Sequence, residues 1–277
     1  MKQVYIWLIA FVITLSSAYY QRISGPTYPQ KQKFIFYDTT INFKFLRSYD
    51  QQKAPIELKI PNELEASLYY RKYPSSDTFE IVKFNKTDSC QIAFLPQQPP
   101  AGKLQYYIKI YSKEKIYFKN DHNPVVLRFK GKVPDTILLV HIIFIFAAML
   151  FANVTGLLAV FKKPRQEIFG QITLVLMLIG GAIFGPIVQK YAFGHYWTGI
   201  PFGWDLTDNK TLFALIAWIF AVLLNLKKHR YWATIVAAII TLVIFAIPHS
   251  LFGSQLDYSS GKVIQGFLLV GLIIKKL

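Results

Sequence analysis

Seven side chains in the second half of this 277-residue chain are of types that do chemistry: His141, His195, His249, Asp205, Asp208, Asp257 and Lys210. Imidazoles bind haem iron or metals and relay protons. Carboxylates beside them orient an imidazole or complete a metal shell, or act with it as an acid–base pair when within hydrogen-bonding reach. Four of the seven fall in one connection, "GHYWTGIPFGWDLTDNKT", from Gly194 to Thr211. Most of them also have plainer duties. His195 stands among Tyr191, Phe193, Tyr196 and Trp197, the composition of an aromatic belt at a membrane surface. Asp208 or Asn209 precedes an apolar run and suits a helix N-cap. Asp205 follows "PFGW" and suits a turn onto backbone amides. His249 follows Pro248 and suits the carbonyls that a proline frees. His141, inside an apolar helix with few polar neighbours, is the hardest to dismiss, because ionisable groups there are expensive.

A series of apolar segments must position these residues. The chain is 53% hydrophobic with a mean hydropathy of +0.32, yet 17% charged, which points to membrane and water-soluble parts together. After the opening segment, membrane helices are predicted over about 136–161, 170–189, 209–228, 231–248 and 258–276, judged against the roughly 20 residues a crossing needs. The last can begin near Tyr258 only if Lys262 snorkels. Residues 1–20 carry "VYIWLIAFVITLSSA" and read either as a signal-anchor helix or as a signal peptide with small residues at the cleavage site. Both readings export the segment that begins at Gln21.

Residues 21–134 have another character. Period-two runs such as "KFIFY", "INFKFL", "ASLYYRKY", "QIAFL", "LQYYIKIY" and "VVLRF" predict about nine half-buried strands, separated by "PSSD", "NKTD", "PQQPPAG" and "KNDHNP". That pattern implies an antiparallel β-sandwich. "FLPQQPPAGKLQYYIKI" resembles the F–G region of immunoglobulin-like domains of the E-set kind. The fold class expected is a mixed membrane protein: an exported all-β sandwich joined to a helical bundle.

Basic residues fix the direction. Lys162, Lys163 and Arg165, then Lys227, Lys228 and Arg230, then Lys275 and Lys276 fall on one side with Lys2 if the helices alternate. The positive-inside rule makes that side cytoplasmic. The β domain, the 194–211 connection and "HSLFGSQLDYSSGK" then face outward. Between Tyr19 and Pro134 there are 19 Lys and Arg against 10 Asp and Glu, within a chain of net charge +16. Solvated sheet faces account for such lysines. An extracytoplasmic protein or anionic lipid is the alternative partner, and nucleic acid is not expected there.

Several chemistries are absent. There is no phosphate-cradling loop, no His-Glu-x-x-His and no Gly-x-Ser-x-Gly, and Cys90 stands alone, so no intrachain disulfide or cysteine metal site forms. "GGAIFG" allows close helix contact through Gly181 and Gly185, and Asn153 and Thr155 suit hydrogen bonds across the bundle. "HIIFIFAAMLFANVTG" is similar to the haem-binding helices of small b-type cytochromes, so one haem b, or a metal, held by His141 and His249 is an alternative.

"YYQRISGPTYP", "LPQQPPAGKLQYYI", "LRFKGKVPD", "GPIVQKYAFGHYWTGIPFGWDLTDNKT" and "PHSLFGSQLDYSSG" together resemble an uncharacterised family of bacterial inner-membrane proteins, of the Bacteroidetes type. The resemblance implies an exported immunoglobulin-like domain on a C-terminal membrane bundle and carries no activity. The expectation is a non-enzymatic multi-pass protein whose β domain and outer loops bind a protein or lipid. One rival is a redox or metal-handling protein using His141 and His249. Another is a membrane enzyme acting on a lipid headgroup through Asp205, Asp208, His195 and His249.

Overall fold

The computed structural model describes residues 2–50, 52–249, 251 and 253–264. The chain divides into two compact units. One is helical and, among the described residues, comprises 2–26 and 133–254. The other is built of strands and comprises Thr27–Lys132 with Gln255–Ile264.

The helical unit has α1 (Gln3–Ser24), α2 (Asp135–Val160), a rod running Gln166–Phe193, α5 (Leu206–Asn225) and α6 (Tyr231–Ala246). The rod is α3 (Gln166–Met177), a π-helical segment Leu178–Phe184 and α4 (Gly185–Phe193). Four of these, α1, α2, the rod and α5, are long and apolar enough to cross a membrane; α6 is a shorter apolar helix. Apolar burial drives helices together only weakly in lipid, so hydrogen bonds and small residues matter more. Asn153 Nδ2 donates to Thr14 Oγ1 at 2.9 Å, tying α2 to α1, and Thr155 meets Thr173 at 3.4 Å, tying α2 to α3. Trp218 Nε1 donates to Thr241 Oγ1 at 2.8 Å. Gln166 donates to Asn225 at 2.8 Å and accepts from Thr234 at 2.6 Å, joining α3, α5 and α6 at one end. His229 pairs with Glu167 at that same end, which carries Lys162, Lys163, Arg165, Lys227, Lys228 and Arg230. Close approach falls on Gly180 and Gly181 rather than on Gly185. A Cβ on Gly180 would sit 2.9 Å from the Ile145 amide nitrogen, and one on Gly181 would sit 2.7 Å from Thr211 Cγ2.

The strand unit has β1 (Gln30–Phe36), β2 (Thr39–Phe45), β3 (Ser48–Tyr49), β4 (Ala54–Leu58), β5 (Glu65–Lys72), β6 (Glu80–Lys83), β7 (Asn85–Lys86), β8 (Gln91–Leu95), β9 (Lys103–Ser112), β10 (Lys115–Lys119), β11 (Val125–Phe129), β12 (Gln255–Leu256) and β13 (Val263–Ile264). The largest sheet runs β3-β11-β9-β5-β6 with β10 also on β9; β4-β8-β7 and β1-β2 form others. All pairings are antiparallel except β11 with β3. Along β9 burial alternates strictly: Leu104, Tyr106, Ile108 and Ile110 point into the core, which they share with Phe34, Phe43, Phe45, Ile56, Leu68 and Leu95.

The helix expected over 258–276 does not start at Tyr258. Residues 255–264 form the β12–β13 hairpin, with Gln255 opposite Ile264 and Leu256 opposite Val263; the rest of that span lies outside the described residues. The hairpin docks on the Pro-rich turn before β9. Leu256 N donates to Ala101 O at 3.0 Å, Lys103 Nζ donates to Gln255 Oε1 at 3.0 Å, and the Tyr258 hydroxyl accepts from Lys103 N at 3.0 Å. Gly102 is required under it, since a Cβ would lie 2.8 Å from Gln98 Cβ and from Pro99 O.

Burial, with Arg128 nearby, lowers the Lys103 ammonium to about 8. The penalty for burying the charge is complete below pH 8 and relieved as pH rises toward the ordinary lysine value, because the folded state releases its proton first. Thermal melting followed by the β-sheet circular dichroism signal should therefore show the strand unit gaining on the order of 2 kcal/mol between pH 7 and 9.5. Lys103→Met should flatten that rise.

Candidate functional site

The 194–205 connection is held by side chains from the start of α5. Asp205 is the N-cap: Oδ1 accepts from Thr207 N at 2.8 Å and from Asp208 N at 3.4 Å. Asp208 reaches back instead, and its Oδ2 accepts from Thr198 N, Gly199 N (3.0 Å), Thr198 Oγ1 (3.1 Å) and Gln189 Nε2 (3.0 Å). Asn209 Oδ1 accepts from Ile200 N at 2.7 Å. The duties expected of Asp205 and Asp208 are thus exchanged. The reason is reach: only a carboxylate one turn inside the helix can collect the amides of a loop folding over its first turn. Gly199 makes the fit, because a Cβ there would meet Asp208 Cβ and Asn209 Oδ1 at 2.7 Å. Gln189, Thr198 and Gly199 carry no signal in the sequence; nothing in their spacing marks them.

The loop after α6 meets the same place. Ser254 Oγ donates to Asp205 Oδ2 at 3.1 Å. Lys210, only 5% exposed, donates from Nζ to Ile247 O at 2.9 Å, and Gln21 Nε2 donates to Phe245 O at 2.7 Å and to Ile247 O at 3.1 Å. Lys210 and Gln21, not His249, therefore satisfy the carbonyls freed before Pro248. A flexible ammonium and a long amide reach back along the helix end, whereas His249 follows the proline.

His249 lies within electrostatic range of Lys210 and His141, and Lys210 within range of Asp205. His141 is half-buried and has a partner: its Nδ1 lies 2.9 Å from Gly180 O in the π-helical segment. With Nδ1 donating, the ring is fixed and Nε2 faces outward from that bond. Five of the seven candidates, His141, Asp205, Asp208, Lys210 and His249, thus share one end of the helical unit. The other two take no part in these contacts, although His195 sits on the connection at the same end. His195 is exposed at the surface of the connection. Asp257 belongs to the strand unit, where Ser259 and Ser260 hydroxyls and the Ser259 amide hold its carboxyl at about 2.

The rim of the connection is aromatic, with Phe202 80%, Trp204 61% and Tyr196 59% exposed. Lys190 lies over the Tyr196 ring and donates to Gly194 O. Among the described residues, no group of three or more His, Cys, Asp or Glu side chains is placed to hold a metal ion. Comparison with protein families, curated sequences and solved structures gave no match.

Proposed function

We propose that this chain is a multi-pass bacterial inner-membrane protein whose exported strand unit and ordered outer loops bind a partner, with the helices as anchor. The observation that carries this reading is the engagement of the carboxylates. Asp205 and Asp208 face backbone amides, hydroxyls and an amide side chain, and Lys210 caps a helix end. These groups hold a display surface in shape, and none of the described contacts at this end pairs an aspartate with a histidine for proton transfer. The connection turns its rings toward its surroundings. The strand unit is read as an immunoglobulin-like sandwich of the E-set kind, supported by antiparallel sheets around one core. The basic loops gathered at the Gln166–Asn225 end support a cytoplasmic side there, which puts Lys210, His249 and the 194–205 connection outside. Helix α1 is read as retained, because Ile6 and Ala10 share a cluster with Val154 and Leu158 and Thr14 bonds Asn153. Membership of the Bacteroidetes-type family belongs to the same proposal.

A second reading has one observation in its favour: His141, His249 and Lys210 converge, and the Nδ1 bond to Gly180 leaves Nε2 of His141 for a haem iron, a metal or a proton. One experiment separates the two. The detergent-purified protein should show no Soret band and only sub-stoichiometric metal by elemental analysis. A Soret band that disappears in His141→Ala would replace the binding reading with the redox one.

A further inference from the structure

The outward face of the largest sheet carries an ordered array that the fold does not require. Residues directly opposite one another share a face. By register, Lys83, Ser67, Lys109 and Lys119 form one row across β6, β5, β9 and β10. Lys109 and Lys119 stand directly opposed, an arrangement that costs stability, and Asp121 offsets it by pairing with Lys119. The next row is Ile81, Tyr69 and Tyr107. The two tyrosine rings stack at 4.5 Å with 4° between planes, Phe79 packs edge-on at 4.9 Å from Tyr107, and Arg71 lies 4.4 Å over Phe79. Arg71 is further fixed by Gln105 Oε1 at 3.0 Å and Asp77 O at 3.2 Å. Ile81 is 61% and Ile116 is 50% exposed on the same face. Tyrosine, arginine and exposed aliphatic groups are the makings of a protein interface.

Resting on the partner-binding reading above, we propose that this face is the docking surface and that its occupant is an acidic polypeptide. Charge decides against a second copy of this chain, since Arg71, Lys83, Lys109 and Lys119 outnumber Glu65 and Asp121 on this face and two copies would bring a net positive charge against itself. Order decides for protein over lipid. An anionic bilayer is met by mobile lysines, whereas here rings and guanidinium lock one another, so little side-chain freedom remains to be lost on binding. A row of cations beside a row of tyrosine edges matches carboxylates alternating with apolar or aromatic groups.

The test uses the full chain in nanodiscs of zwitterionic lipid and a fluorescent glutamate–tyrosine copolymer, followed by anisotropy. The double variant Lys83→Gln/Lys109→Gln should weaken binding about tenfold, and Arg71→Gln by a comparable factor. Lys31→Gln/Lys33→Gln removes the same charge from β1 and should change it less than about twofold. Tyr107→Phe keeps the stack and guards against misfolding: it should melt with the parent and bind within about twofold of it. Equal weakening in the β1 control, absence of copolymer binding, or tighter binding to phosphatidylglycerol vesicles or dextran sulfate would each overturn the assignment of this face. Any of these with a colourless, metal-free protein leaves the broader binding reading intact; a Soret band removes that reading instead.

Discussion

Asp208→Ala is expected to destabilise the helical unit by about 4 kcal/mol, because it removes the shared acceptor of four donors from a residue that is only 5% exposed. One oxygen of this carboxylate receives two backbone amides, a hydroxyl and a side-chain amide. The hydroxyl of Thr198 can rotate; the amides of Thr198 and Gly199 cannot. Asp208→Asn keeps an acceptor while adding two hydrogens with nowhere to go, and should cost about half as much. Thermal unfolding in detergent, read through the emission of Trp197 and Trp204, gives both numbers. A loss below about 1 kcal/mol in the alanine variant would mean that the connection is not held by this residue. It would also reopen Asp208 as a group free for chemistry, so the same measurement bears on the functional reading.

The second large effect lies in the strand unit. Tyr258→Phe removes one oxygen that accepts from the Lys103 amide and donates toward Gln98 Oε1 at 3.0 Å and Lys103 O at 2.9 Å. Burial pushes this phenol up to about 12, so the hydroxyl keeps its proton across ordinary pH. The substitution should cost about 2 kcal/mol through the orphaned amide. Lys72, whose Nζ lies 5.1 Å from the ring centre, should keep its contact. Tyr258→Ala removes the ring as well and should release the hairpin from the turn at 96–102. Limited trypsin digestion should then cut after Lys103 in the alanine variant, slowly in the phenylalanine variant and not in the parent. Equal resistance in all three would show that the hairpin does not hold this turn.

How far the sequence speaks depends on the range of the force involved. Alternation along "LQYYIKIY" is local, and β9 buries every second residue as that pattern implies. Apolar length is local too, so α2 at Asp135–Val160 is readable from composition. The site is legible as a set of residues and not as a set of bonds. Asp205 and Asp208 are three apart, both near a helix start, and sequence cannot say which one caps and which one folds back. His141 looks unpartnered in the sequence because its partner is a backbone carbonyl 39 residues away, in the π-helical segment. "YSSGKVI" reads as the start of a helix because Val263 to Ile274 is an apolar run, whereas it belongs to the β12–β13 hairpin. Its strands are two residues each, too short to show a period, and they depend on a turn more than 150 residues earlier.

That late hairpin has a consequence for biosynthesis. A ribosome makes residues 27–132 early, yet the pieces that complete the strand unit emerge only after α2 to α6 have been synthesised. A nascent chain released anywhere before residue 255 carries an open Pro-rich turn and leaves Lys103 without its Gln255 partner. Translation must therefore pass the last strand of the hairpin before the early-made strands are finished, which couples maturation of that unit to completed synthesis of the helices between its two pieces.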